Sequence, residues 1–280
     1  MSNERLNSMH RDDKDSEYKE STEPMPKEEH RPRRPLIEVI HHDEDVIVLA
    51  KPPSLWLDVA AGEATSVTEQ LIKQGLLADG PDPMFVYPLD PPVSGILILA
   101  KSEVAARNLA DQVKAVGIQL TALAIVRGPV MKNEGTIDFK LTDLAAGPKG
   151  KMKVDAIRGH DAVTTWTVRD QFVGFALLEC RTQPVMPHQF RVHLEAAGIP
   201  LAVDPLYSGA TKLLLSSFKA GYQRSHRRPE RPLIDRVSLH VASVEFRHPQ
   251  SGEACRYESV LPKDFKATLH QLERFGRMPK

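Results

Sequence analysis

The sequence predicts an α+β domain over residues 35–280, built on a central sheet, behind a charged tail at residues 1–34. Three observations carry this expectation. Strand-length apolar runs bounded by Gly and Pro recur along the chain. The amphipathic segments between them bear helix-start signals but do not alternate regularly with the strands, so repeated β-α-β units are not expected. With 280 residues, 41% of them hydrophobic, there is enough apolar side chain for one large core or two small ones.

Composition excludes several classes. Thirty-seven Lys and Arg balance 37 Asp and Glu, so any nucleic-acid surface must be a local patch rather than a global excess. Cys180 and Cys255 are the only cysteines, too few for a disulfide framework or a zinc cluster, and they fit a reducing compartment. No apolar run reaches membrane length, and the acidic N-terminus suits neither a signal nor a transit peptide. A cytoplasmic, monomeric protein is expected. The tail has too few large aliphatics to compensate the entropy of ordering, so disorder is expected there.

Val46–Ala50 reads as a strand closed by Lys51-Pro52-Pro53. Ser66-Val-Thr-Glu69 is a capping box that opens a helix to about Leu77. Gly80–Pro83 is a loop, and Leu89–Pro92 is held extended by its prolines, so Asp90 ends a strand. Gly95 permits a tight re-entry into a buried strand at Ile96–Ala100. Ser102 caps a helix with Val104, Leu109 and Val113 inward. Strands follow at 119–126, 136–140, 163–168 and 175–180, then a helix at 187–197. A hairpin across His248–Gly252 joins strands at 237–246 and 254–259, and a last helix at 262–275 turns Phe265, Leu269 and Leu272 inward.

Two stretches carry chemistry. Asp90 is a lone acid between apolar runs, where a carboxylate loses solvation and needs a partner. Its local reading divides evenly between a functional acid and a turn residue before proline. A hundred residues on, Met186-Pro-His-Gln-Phe-Arg-Val-His193 places His188 and Arg191 on one helix face. His193 is rotated away from His188, which disfavours a shared metal, and no metal is expected. Lys212, Arg224, Arg227 and Arg228 fall in a segment, 212–236, with few acids.

These stretches resemble the RluA-type RNA pseudouridine synthases. The family's catalytic motif is matched by Leu89-Asp90, Val93-Ser94-Gly95 and Lys101. Asp43–Pro52, Ala124–Gly128, His188–His193 and Asp204-Pro-Leu-Tyr207 match further motifs in order, over about residues 36–275. The resemblance implies the pseudouridine synthase fold, a central mixed, largely antiparallel sheet with surrounding helices. It implies isomerisation of a uridine in ribosomal or transfer RNA without a cofactor. Asp90 would be catalytic and Arg191 its partner, since a guanidinium favours the ionised acid. His188, Gln189, Leu89, Ser94, Gly95 and Ala122 would complete the site, and Lys212, Arg224, Arg227 and Arg228 would contact RNA.

The sequence also departs from the family pattern. Its motif tyrosine falls at Ala122, the arginine two before the aspartate is Pro88, and the polar pair before His188 is Met186-Pro187. Tyr87, three residues before Asp90, should face away from it. Two functions therefore stand: an isomerase, or an RNA-binding protein on the same fold that does not turn its substrate over.

Overall fold

A computed structural model describes residues 37–57, 66–77, 84–142, 150–223 and 228–278. The tail at 1–34, and with it the expectation of disorder, lies outside the described residues.

Among the described residues ten strands form one sheet: β1 Glu38–His42, β2 Val46–Lys51, β3 Met84–Phe85, β4 Ser94–Ala100, β5 Gln119–Arg127, β6 Glu134–Ile137, β7 Val163–Phe172, β8 Phe175–Gln183, β9 Leu239–Arg247 and β10 Ala254–Glu258. Among the described residues four α-helices accompany them: α1 Val67–Lys73, α2 Glu103–Lys114, α3 Gln189–Ala196 and α4 Lys263–Phe275. The spatial order is β1-β2-β4-β9-β5-β8-β7-β6, with β3 beside β4 and β10 beside β9. The pair β4–β9 is parallel and the other paired strands are antiparallel. The sheet is thus mixed and largely antiparallel, as expected.

The parallel junction explains the Ser94-Gly95 dipeptide. Ser94 pairs with His240 and Gly95 with Val241. The Ser94 hydroxyl lies 3.1 Å from His240 Nδ1. Gly95 has φ +131°, and a Cβ there would stand 2.2 Å from the Val241 carbonyl oxygen. Only glycine allows this approach.

The sheet is covered on both faces, which is why its central strands are apolar almost throughout. Strand β5 sends Leu120, Ala122, Ala124 and Val126 into a core shared with β2 and β4. It sends Ile125 to the opposite face, where Phe265 and Leu272 of α4 pack.

Several expectations are corrected. Val104 is 78% exposed; it lies five residues before Leu109, off the face that Ala105 and Leu109 share at helical spacing. Helix α1 ends at Lys73, short of Leu77, where Gly75 turns with φ +70°. The strand expected at 136–140 runs Glu134–Ile137. Asp90 does not end a strand: β3 stops at Phe85, Val86 keeps one backbone hydrogen bond to Ile98 of β4, and the chain is irregular from there to Asp90. The helix expected from Pro187 begins at Gln189, because His188 adopts a left-handed conformation with φ 54°. Strand β1, not expected from sequence, pairs with β2.

Candidate active site

The Asp90 loop is pinned from behind. Its neighbour Pro91 offers a carbonyl that accepts the Ser54 N–H at 2.7 Å and the Lys51 ammonium at 2.9 Å. Lys51 is 1% exposed and also donates to the carbonyls of Pro52 and Leu55. Three acceptors match the three donors of an ammonium. Burial nevertheless pushes Lys51 down to about 7, with Asp90 opposing the shift.

Across the cleft, α3 delivers Arg191. Its Nη1 donates to Asp90 Oδ2 at 2.7 Å, bridging 101 residues of sequence. Its Nε and Nη2 make a bidentate pair with Asp204, both at 2.8 Å. Arg191 is 5% exposed. Burial disfavours its charge, but the hydrogen bond and proximity of Asp204, together with the charge of Asp90, raise its pKa above the ordinary arginine range. The guanidinium is therefore a fixed cation. Asp204 also accepts the backbone N–H groups of Leu206 and Tyr207.

His188 completes the constellation. Its Nε2 lies 3.2 Å from Asp90 Oδ1 and its Nδ1 lies 2.9 Å from the Tyr207 hydroxyl. The left-handed backbone at His188 turns the chain into α3 at this point, a conformation costly for a residue other than glycine and typical of functional sites. Burial lowers the His188 pKa, with Asp90 opposing, so the ring is neutral at pH 7.

The cleft between these elements is lined by Leu89, Asp90, Leu120, Met186, His188 and Arg191, among others, and holds about 30 Å³. That is room for one water. Thr182 also lines it, and its buried hydroxyl has no hydrogen-bond partner among the described residues.

The expected site residues therefore divide by position. Asp90, Leu89, His188, Gln189 and Arg191 meet at the cleft. Gln189 is committed to backbone, accepting the Met186 N–H at 3.0 Å and donating to Val163 at 3.0 Å. Ser94 and Gly95 form the β4–β9 junction described above. Ala122 is fully buried, two residues along β5 from the cleft-lining Leu120. Tyr87 is buried with its hydroxyl on the Ile96 carbonyl, at 2.9 Å. His193 is tied to Thr164 and the Phe139 carbonyl. Lys212 is exposed and borders a separate hollow with Arg127 and Ser217. Arg228 is exposed, and Arg224 and Arg227 lie outside the described residues. Sequence reasoning did not assign roles to Lys51, Asp204 or Thr182. For Asp204 the signal was the Asp-Pro-Leu-Tyr match; for Lys51 it was a lysine closing an apolar strand.

A carboxylate held by a guanidinium in a small, mostly apolar cleft is an arrangement in which one acid can act on a group bound beside it. The sequence profile of RNA pseudouridylate synthases matches residues 45–196. Ribosomal large subunit pseudouridine synthase D of Xanthomonas campestris pv. campestris is 31% identical over 246 residues, 84% of this chain and 69% of that protein. Ribosomal large subunit pseudouridine synthase C of Escherichia coli is 28% identical over 237 residues, 84% of this chain and 69% of that protein. Among solved structures, human RNA Pseudouridylate Synthase Domain Containing 4 superposes with a TM-score of 0.65 at 22% identity, covering 87% of this chain and 95% of that one; this likeness speaks to the fold. The chain belongs to the RNA pseudouridylate synthase family.

Proposed function

We propose that the chain converts a uridine of large-subunit ribosomal RNA to pseudouridine, with Asp90 as its catalytic acid and no cofactor. The observation that carries this is the Asp90–Arg191 contact at 2.7 Å inside the cleft, with Asp204 holding the other edge of the guanidinium. The reaction breaks the N1–C1′ bond, turns the uracil and rejoins it through C5. Asp90 acts at the ribose, and Arg191, a fixed cation, sets an N–H donor and an opposite charge 2.7 Å from its carboxylate. The base must leave its stack, at a few kcal/mol, and be read in the pocket by hydrogen bonds. Thr182, whose buried hydroxyl lacks a partner among the described residues, suits the uracil edge. The base would seat against the wall formed by Leu89, Leu120 and Met186. Met186, half-buried and unbranched, is the flexible part of that wall.

Among the described residues no helix is long and apolar enough to cross a membrane, which suits the cytoplasmic location proposed for an enzyme of ribosomal RNA. Pseudouridine mapping of RNA from cells lacking the gene tests the function. The expected outcome is one site lost on deletion, restored by the wild-type gene and not by Asp90→Asn. Since Arg191 keeps its bidentate partner Asp204, the Asp90→Asn protein should still fold, with a melting temperature close to wild type. RNA binding with no site lost on deletion would point instead to the protein that binds without turnover.

A further inference from the structure

We propose that His188 is the base that removes the C5 proton after the new bond has formed, with Tyr207 as its positioning residue; this rests on the isomerase reading. Once C5 is bonded to C1′, it carries both the sugar and a hydrogen, and the ring holds an N1=C6 double bond. Removing the C5 proton returns its electron pair to the ring as C5=C6. The N1=C6 pair moves to N1, which takes a proton from water, and the base later returns its own proton to water. The step needs a neutral base at the cleft beside Asp90.

The side chains at the cleft leave one such group. Asp90 is already assigned to the ribose, Arg191 is a fixed cation between two carboxylates, and the Gln189 amide is committed to backbone. His188 lines the cleft, is neutral, and points Nε2 at Asp90 from 3.2 Å. Tyr207 cannot take this role directly: burial pushes its phenol up to about 12, so it keeps its proton.

What Tyr207 does is let His188 change tautomer without losing a partner. The Tyr207 hydroxyl accepts the Met152 N–H at 3.1 Å and meets His188 Nδ1 at 2.9 Å. With Asp90 free, Tyr207 donates to Nδ1 and Nε2–H points at the carboxylate. When Asp90 turns to the ribose, Nε2–H loses its acceptor. The tautomer with Nδ1–H donating to the Tyr207 oxygen is then favoured, because a hydroxyl can accept as well as donate. Nε2 is left with a free lone pair facing the cleft. The imidazolium formed by taking the C5 proton is stabilised by the Asp90 carboxylate, which faces Nε2 again once the sugar has passed to C5; Asp204 adds to this and Arg191 opposes it.

Two RNAs separate this step from the one before it. Large-subunit ribosomal RNA transcripts carrying tritium at uridine C5 report proton removal. The same transcripts made with 5-fluorouridine hold no C5 proton, so their chemistry stops after the carbon–carbon bond has formed, and the product is an acid-stable, carbon-linked fluorouracil nucleoside. His188→Asn suits the left-handed backbone and keeps a donor toward Asp90. It should slow tritium release about 10²–10⁴-fold while slowing rearrangement of the fluorinated RNA far less. Tyr207→Phe should slow tritium release less, leave the fluorinated reaction unchanged and enlarge the isotope effect of deuterium at C5. Equal slowing of both reactions in either variant, or wild-type tritium release by His188→Asn, overturns the proposal. Wild-type protein inert on both RNAs would overturn the isomerase reading and this step with it. Loss of both reactions in Asp90→Asn, beside their separation in His188→Asn, would support the two assignments individually.

Discussion

Asp204 shows how much of the site depends on a residue placed outside the cleft wall. It is 1% exposed and receives four donors: two from Arg191 and the backbone N–H groups of Leu206 and Tyr207. One buried acid therefore orients both the guanidinium that pairs with Asp90 and the turn that presents Tyr207 to His188. Removing its charge leaves the buried Arg191 with one carboxylate. Breaking a buried pair by deleting one partner costs about 3–5 kcal/mol. Asp204→Asn should lower the urea midpoint accordingly, whereas Asp90→Asn, at the cleft end of the same arginine, should not. Equal midpoints for the two variants would show that the Asp204 side of the bridge carries no special share of the stability.

At the scale of elements, the β4–β9 junction joins the two antiparallel halves of the sheet and sets the Asp90 loop against the rest of the site. Gly95→Ala would place a methyl group against the Val241 backbone at 2.2 Å and in a backbone conformation with φ +131°. Overpacking of this kind costs about 1–3 kcal/mol or more, and backbone on both strands leaves little room to relax. Denaturant unfolding should show a loss at the upper end of that range. His240, at the same junction, adds a pH dependence. Burial lowers its pKa from the ordinary 6.5 to about 4, with the Ser259 carbonyl, Arg236, Asp264 and Ser94 as weaker influences. The unfolded chain therefore binds a proton between about pH 6.5 and 4 that the folded chain refuses. Stability from this residue is complete above 6.5 and falls as pH drops through the window, by at most about 3 kcal/mol. Urea midpoints measured from pH 7 to 4.5 should fall more steeply for wild type than for His240→Gln.

For the whole molecule, zero formal charge means that RNA must be held by a local surface. The basic stretch after Ile199–Tyr207 is the candidate: Arg228 is exposed, and Arg224 and Arg227 precede it in sequence. Removing the cation that neutralises one phosphate should reduce the slope of log affinity against log salt by about 0.7 on single-stranded RNA. Replacing Arg224, Arg227 and Arg228 by Ala should therefore weaken binding and flatten that slope together, as read in a salt titration of RNA binding. Unchanged affinity and slope would place the RNA surface elsewhere, with the Arg127–Lys212 hollow the next to test.

The sequence by itself determined the order of most elements, because hydrophobic runs, proline stops and Ser66 and Ser102 caps are local signals and the structure keeps them. It also determined the Asp90–Arg191 pairing, through two motifs whose spacing and order matched a known family. Only the tertiary structure decided what the residues around that pair do. Ser94 and Gly95 belong to a strand junction, because their neighbours come from β9, 146 residues away. His188 stands between Asp90 and Tyr207 because a left-handed residue, not a helical one, opens α3. Lys51 holds the Asp90 loop through a carbonyl forty residues on. Hydrogen bonds of this range depend on which strands pair and in what register, and a single chain read locally carries no record of either.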